Sequence, residues 1–114
     1  MHRPVSPWTL KSTRAMRSNL QSIVRRLKAR RIKVVLCGLR APAGLNAGYA
    51  REFNAVFPAV AKAEGVSLYP DLLAGVALSR TLNQRDGIHP NPRGVAIIAR
   101  RLAPVAARAL TRTA

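Results

Sequence analysis

Apolar side chains recur at helical spacing along three stretches of this chain and form short continuous runs in two others. From about Thr9 to Arg30, the residues Met16, Leu20, Ile23, Val24 and Leu27 line one side of a 3.6-residue period. Arg14, Arg17, Arg25 and Lys28 fall on the other side, which predicts an amphipathic helix with a solvated basic face. The next run, Ile32-Lys-Val-Val-Leu-Cys37, is short, β-branched and nearly all apolar, as a buried parallel strand requires. Residues 38–48 are rich in Gly, Ala and Pro and read as a loop. Tyr49 to Glu64 returns to helical spacing through Phe53, Val56, Phe57 and Val60, with Gly65 as its stop and Pro58 expected to kink or split it. Val66 to Tyr69 predicts a second strand. Asp71 to Arg85 reads as a long loop with one helical turn near Leu72–Leu78. Pro92 to Leu110 predicts a last helix, with Val95, Ile98, Leu102 and Val105 on one face and Pro104 weakening its final turns.

This order of elements places two strands around a crossover helix, so the strands are expected to be parallel and the fold class α/β. The chain has 114 residues, which bounds it to one small domain. Residues 1–8 carry two prolines without periodicity and read as a tail, leaving 9–114 as the domain. Apolar residues make up 48% of the chain but aromatics only 4%, so the expected core is thin.

Charge changes the picture further. Twenty Lys and Arg stand against four acids, a formal net charge of +16. Such an excess attracts polyanions, so weak non-specific binding of nucleic acid or an anionic surface is an expectation from composition alone. The cations also recur at Arg51, Arg80, Arg85, Arg93, Arg100, Arg101 and Arg108, spread along the chain rather than gathered into one stripe. The single cysteine, Cys37, rules out an intrachain disulfide and a cysteine-based metal framework, and it reads as a buried strand residue. No apolar run approaches the roughly 20 residues of a membrane span. Met1-His2-Arg3-Pro4 lacks the apolar core of a signal peptide, so the sequence as it stands directs no export.

The candidate chemistry lies in Asp86-Gly87-Ile88-His89-Pro90-Asn91, which holds one of the four acids and one of the two histidines. Across a tight turn that Gly87 permits, the Asp86 carboxylate can accept a hydrogen bond from one ring nitrogen of His89 and leave the other free as a base. By itself, such a pair more often serves only to hold a turn together. Asn91 before Pro92 reads as an N-cap followed by proline at the first helical position. A hydrolytic triad also needs a nucleophile and oxyanion donors. None of Ser6, Ser12, Ser18, Ser22, Ser67 and Ser79 stands in a Gly-x-Ser-x-Gly or Gly-Asp-Ser setting, and Ser12, Ser18 and Ser22 fall within the first predicted helix.

The run from Asp86 to Asn91, followed by Gly94 and an Ala-Ile-Ile-Ala segment, resembles the last motif block of the SGNH (GDSL-type) hydrolases. Leu39-Arg40-Ala41-Pro42, Gly48 to Phe53, Phe57-Pro58, Val66 to Pro70, Leu73 to Ala77 and Leu82-Asn83-Gln84 are similar to the middle of the bacterial thioesterase I-like arylesterases. The resemblance covers roughly residues 9–110. It implies the C-terminal part of a three-layer αβα sandwich on a parallel sheet, here about two strands and three to four helices. It implies ester or thioester hydrolysis by Ser, His and Asp, with no metal and no cofactor. His89 matches the general base and Asp86 the acid that orients it. The Gly-Asp-Ser block, the oxyanion glycine and the Gly-x-Asn-Asp block have no counterpart in this sequence, so no nucleophile is assigned to the chain. The usual Asn-x-Gly of the loop appears inverted as Gly44-Leu45-Asn46, and Asp71 follows Pro70 where an aromatic is common.

The expectation is therefore the C-terminal half of an SGNH esterase, inactive alone, which would take a small acyl ester or thioester substrate if completed by an N-terminal half. Members of the family are often periplasmic or secreted, whereas this sequence carries no signal peptide. The alternative is a basic helical module that binds nucleic acid or an anionic surface.

Overall fold

The computed structural model of the chain describes residues 12–41 and 47–111. Five elements follow in order: α1 (Thr13–Ala29), β1 (Val35–Cys37), α2 (Ala47–Glu64), β2 (Ser67–Tyr69) and α3 (Pro92–Thr111). β1 and β2 pair in parallel with Val35 opposite Ser67, Leu36 opposite Leu68 and Cys37 opposite Tyr69. Both α2 and α3 pack against both strands without touching each other, and α1 packs on α2. Helices on the two sides of a small parallel sheet are the expected α/β arrangement.

The core is the apolar stripe of α2. Phe53, Val56, Phe57, Val60 and Ala61 are buried together with Val24 of α1, Leu36 of β1, Ala41 and Ala50. Phe53 meets Phe57 edge-on with ring centroids 5.6 Å apart, and Tyr49 lies 6.1 Å from Phe53 on the other side. Three of the chain's few aromatics thus stack along one helix and supply most of the large side chains in the interior.

Helix ends follow local chemistry. Ser12 is the N-cap of α1, its Oγ accepting from the Ala15 amide at 3.2 Å, rather than a residue within the helix. α1 closes with the Ile32 amide donating to Leu27 O and the Arg31 amide to Lys28 O, which requires Arg31 at φ 59°. α2 closes in the same way, with Gly65 at φ 65° and the Val66 amide donating to Ala61 O. Reversal at Arg31 also explains why the first strand begins at Val35 and not at Ile32. Ile32 belongs to the helix stop, and β2 offers only three partners.

Two other expectations change. α2 runs through Pro58 as one helix and α3 through Pro104, so neither proline splits its helix. Pro58 is exposed while Phe57 and Val60 beside it are buried, and burial on both sides of the proline offsets the lost backbone bond. The basic side of α1 is not simply solvated. Glu64, at the end of α2 and only 8% exposed, accepts from Gln21 Nε2 at 2.8 Å and Arg25 Nε at 3.0 Å, while Lys28 Nζ donates to the Glu64 carbonyl. The Gln21 hydrogen bond, followed by the Arg25 partner, holds the Glu64 carboxyl below its usual range despite its burial. The tail at 1–8 and the Gly44-Leu45-Asn46 inversion lie outside the described residues.

Phe53→Ala removes the ring at the centre of the aromatic stack. It is expected to cost about 3–5 kcal/mol, a large share of the roughly 5–15 kcal/mol of a typical domain. Urea unfolding followed by circular dichroism measures this, and a loss below about 1 kcal/mol would mean that the core lies elsewhere.

Candidate active site

β2 leads into a stretch of consecutive turns that ends at α3, and this stretch carries the candidate chemistry. Asp71 opens it, with Oδ1 accepting from the Leu73 amide at 3.1 Å. The amides of Val76 and Ala77 donate to Leu73 O, which makes the expected single helical turn. Leu78 then adopts φ 67° with its side chain 86% exposed, a left-handed conformation that costs a non-glycine residue about 1–2 kcal/mol. Nothing in the sequence pattern pointed to that reversal.

The next segment folds back on itself. Asn83 bridges Pro90 in antiparallel fashion, the Gln84 amide donates to His89 O at 2.7 Å, and the Asn91 amide donates to Leu82 O at 2.9 Å. At the tip, the Gly87 amide donates to Gln84 O at 2.9 Å, with Gly87 at φ 70°. Glycine suits this position because the backbone, not a neighbouring side chain, dictates it: a Cβ there would meet nothing within 4 Å.

The tip brings Asp86 and His89 together as the sequence anticipates. Asp86 Oδ2 lies 2.6 Å from His89 Nδ1, and Oδ1 accepts from the backbone amides of Ile88 at 2.9 Å and His89 at 3.0 Å. One carboxylate thus fixes both the ring and the backbone that carries it. The His89 side chain is 70% exposed, and no described residue meets its Nε2. The imidazole can therefore present a lone pair outward while Nδ1–H points to the carboxylate. The hydrogen bond to the His89 ring, then those from the His89 and Ile88 amides, hold the Asp86 carboxyl at about 2 against an ordinary 3.8.

Among the described residues no serine hydrogen-bonds His89. Ser18 and Ser22 ride on exposed positions of α1, Ser67 lies in β2, and Ser79 Oγ lies 3.3 Å from Thr81 Oγ1. Cys37 is half-buried in β1, where burial pushes its thiol up, away from nucleophile chemistry. Among the described residues no group of acidic, histidine or cysteine side chains could hold a metal ion, and no helix is long and apolar enough to cross a membrane. A shallow depression of about 500 Å³ adjoins the loop, lined by Leu78, Ser79, Arg80, Asn83, Gln84, Arg85 and Gly87.

The first turn of α3 presses directly on the loop. A Cβ on Gly94 would come within 2.2 Å of Leu82 O and 3.1 Å of Val76 Cγ1. Gly94→Ala, ordinarily favourable in a helix by up to about 1 kcal/mol, is therefore expected to destabilise by about 1–3 kcal/mol and to displace the Asp86–His89 loop. Denaturation combined with amide chemical shifts of residues 82–91 checks both effects. The pH dependence has a definite sign. With its folded-state value lowered to about 2, Asp86 adds stability above 3.8 that disappears as pH falls from 3.8 through 2. A carboxyl ¹³C titration should give a midpoint near 2 for Asp86, moving toward 3.8 in His89→Ala; a wild-type midpoint of 3.8 would mean that the pair does not form in solution.

Residues 4–97 match the model of the GDSL-like Lipase/Acylhydrolase family. Esterase TesA of Pseudomonas aeruginosa is 36% identical over 75 residues, 66% of this chain and 37% of that protein. Thioesterase 1/protease 1/lysophospholipase L1 of Escherichia coli is 36% identical over 72 residues, 63% of this chain and 35% of that protein. The crystal structure of TesA superposes with a TM-score of 0.81 at 28% identity, over 86% of this chain and 54% of that one. AlinE4, an SGNH-hydrolase family esterase, gives 0.63 at 37% identity, over 89% and 53%. The chain spans about half the length of these solved structures. Its two-stranded parallel sheet and three helices match part of the SGNH α/β fold.

Proposed function

The chain belongs to the GDSL-like lipase and acylhydrolase family, and on that premise we propose that it supplies the acid–base half of an ester or thioester hydrolase site. His89 is the general base through Nε2, and Asp86 is the residue that orients it. The observation that carries this reading is the 2.6 Å contact between Asp86 Oδ2 and His89 Nδ1, with Nε2 turned outward. A structural turn would need only the carboxylate-to-amide bonds. The ring contact adds what a base needs, a fixed tautomer and orientation.

In this reading the serine comes from a segment outside these 114 residues, together with the oxyanion donors. Nε2 takes the proton from the serine hydroxyl as the oxygen attacks the acyl carbonyl. The imidazolium, held by Asp86, returns that proton to the departing alcohol or thiol. Water then repeats the cycle on the acyl-enzyme and regenerates the serine. The printed names of the relatives, esterases and a thioesterase, agree with an acyl ester or thioester as the substrate class.

Hydrolysis of short-chain p-nitrophenyl esters tests the proposal. The 114-residue chain alone should stay at background. Adding the separately expressed N-terminal half of a related hydrolase should produce turnover, and His89→Ala should then reduce it by up to roughly 10⁶-fold. Turnover by the chain alone that disappears in His89→Ala would place the nucleophile within it. Absence of turnover in the complemented pair would overturn the assignment.

A further inference from the structure

The pair that the proposed function rests on has almost no packing to hold it. His89 is 70% exposed, Asp86 42% and Ile88 71%, and a Cβ on Gly87 would meet nothing within 4 Å. An exposed loop tip loses its geometry unless its base is fixed, because each free backbone torsion adds accessible states. Here two asparagine side chains fix the base. Asn83, only 9% exposed, donates through Nδ2 to Val76 O and Ser79 O, both at 2.7 Å, and so ties the first arm of the loop to the preceding turn. Asn91 works in two directions. Its Oδ1 accepts from the Gly94 amide at 3.0 Å and caps α3, while its Nδ2 donates to Thr81 O at 2.9 Å and Asn83 O at 3.3 Å across the loop.

We infer that Asn83 and Asn91 are positioning residues for His89, acting by locking the two arms of the loop to each other and to the first turn of α3. Each role needs an amide. Asn91 must accept on one atom and donate on the other, which neither Asp nor Ser can do in the same geometry. Asn83 must donate twice to carbonyls in a nearly buried site, where an aspartate would set a charge against two carbonyl oxygens. Neither side chain touches His89, so each acts only through the backbone that carries it.

Asn91→Asp separates capping from positioning. Aspartate keeps the oxygen that caps α3 and suits the helix dipole, but it turns a second oxygen toward Thr81 O and Asn83 O. In the 114-residue chain, Asn91→Asp should leave helix content unchanged while the Asp86 carboxyl midpoint rises from about 2 toward 3.8. Asn83→Ala should move it in the same direction. Phe53→Ala at a reduced temperature serves as the control, because it weakens the core without touching the loop and should leave the midpoint near 2. In the complemented hydrolase, Asn91→Asp should lower kcat at least tenfold with KM changed less than threefold. These NMR measurements need no catalysis, so a shifted midpoint with an inactive complex would fail the functional reading alone. An Asp86 midpoint that stays near 2 in folded Asn91→Asp and Asn83→Ala would overturn the inference.

Discussion

Burial of one face of α2 is the constraint on which the rest of the molecule depends. Phe53, Val56, Phe57 and Val60 are the meeting point of α1, the sheet and the loop through Ala41. β1 and β2 contribute three residues each, too few to stand alone, and they persist because α2 and α3 both pack on them. The same burial overrides the local preference of Pro58 to end a helix. Where apolar contacts flank a proline on both sides, losing one backbone bond is the smaller effect.

Electrostatics acts against this fold in general and for it at particular points. A net charge of +16 repels itself, and only four carboxylates oppose it. All four accept hydrogen bonds. Glu64 joins the end of α2 to Gln21 and Arg25 of α1, Glu52 accepts from the Thr13 hydroxyl at 3.4 Å, Asp71 starts the turn after β2, and Asp86 holds His89. Such scarce acids serve as local organisers rather than as general neutralisers. The strongest case is Asp86, whose two oxygens satisfy a ring nitrogen and two amides of the same short turn.

The candidate site inherits its geometry from the elements on either side of it. β2 delivers the chain to a run of turns, α3 receives it, and the loop between is closed by backbone pairing and two amide side chains. Gly94 makes that closure possible. Its missing Cβ lets the first turn of α3 lie against Leu82 O, so that cap, helix and loop form one unit. Arg101 adds a brace further along α3, where its guanidinium donates to Ala74 O at 2.8 Å over Gly75. The Asp86–His89 pair on an exposed loop is thereby held without being buried, which leaves Nε2 accessible.

What the sequence alone determined was whatever depends on short-range chemistry. Helical spacing placed all three helices to within a few residues, because amphipathic periodicity follows from burying one face. The runs Ile32–Cys37 and Val66–Tyr69 marked both strands, and the three-residue spacing around Gly87 put Asp86 within reach of His89. Only the tertiary structure decided how far each element extends and which polar groups meet. Strand β1 starts at Val35 because β2 has three partners to offer, and Pro58 stays helical because of what lies on either side of it. Arg25 and Lys28 reach from the exposed basic face of α1 to Glu64, some 39 and 36 residues away in sequence. The double duty of Asn83 and Asn91 was equally hidden, although Asn91 was legible as a cap. A hydrogen bond between distant residues leaves no period in a sequence; it exists only once packing has brought its two ends within 3 Å.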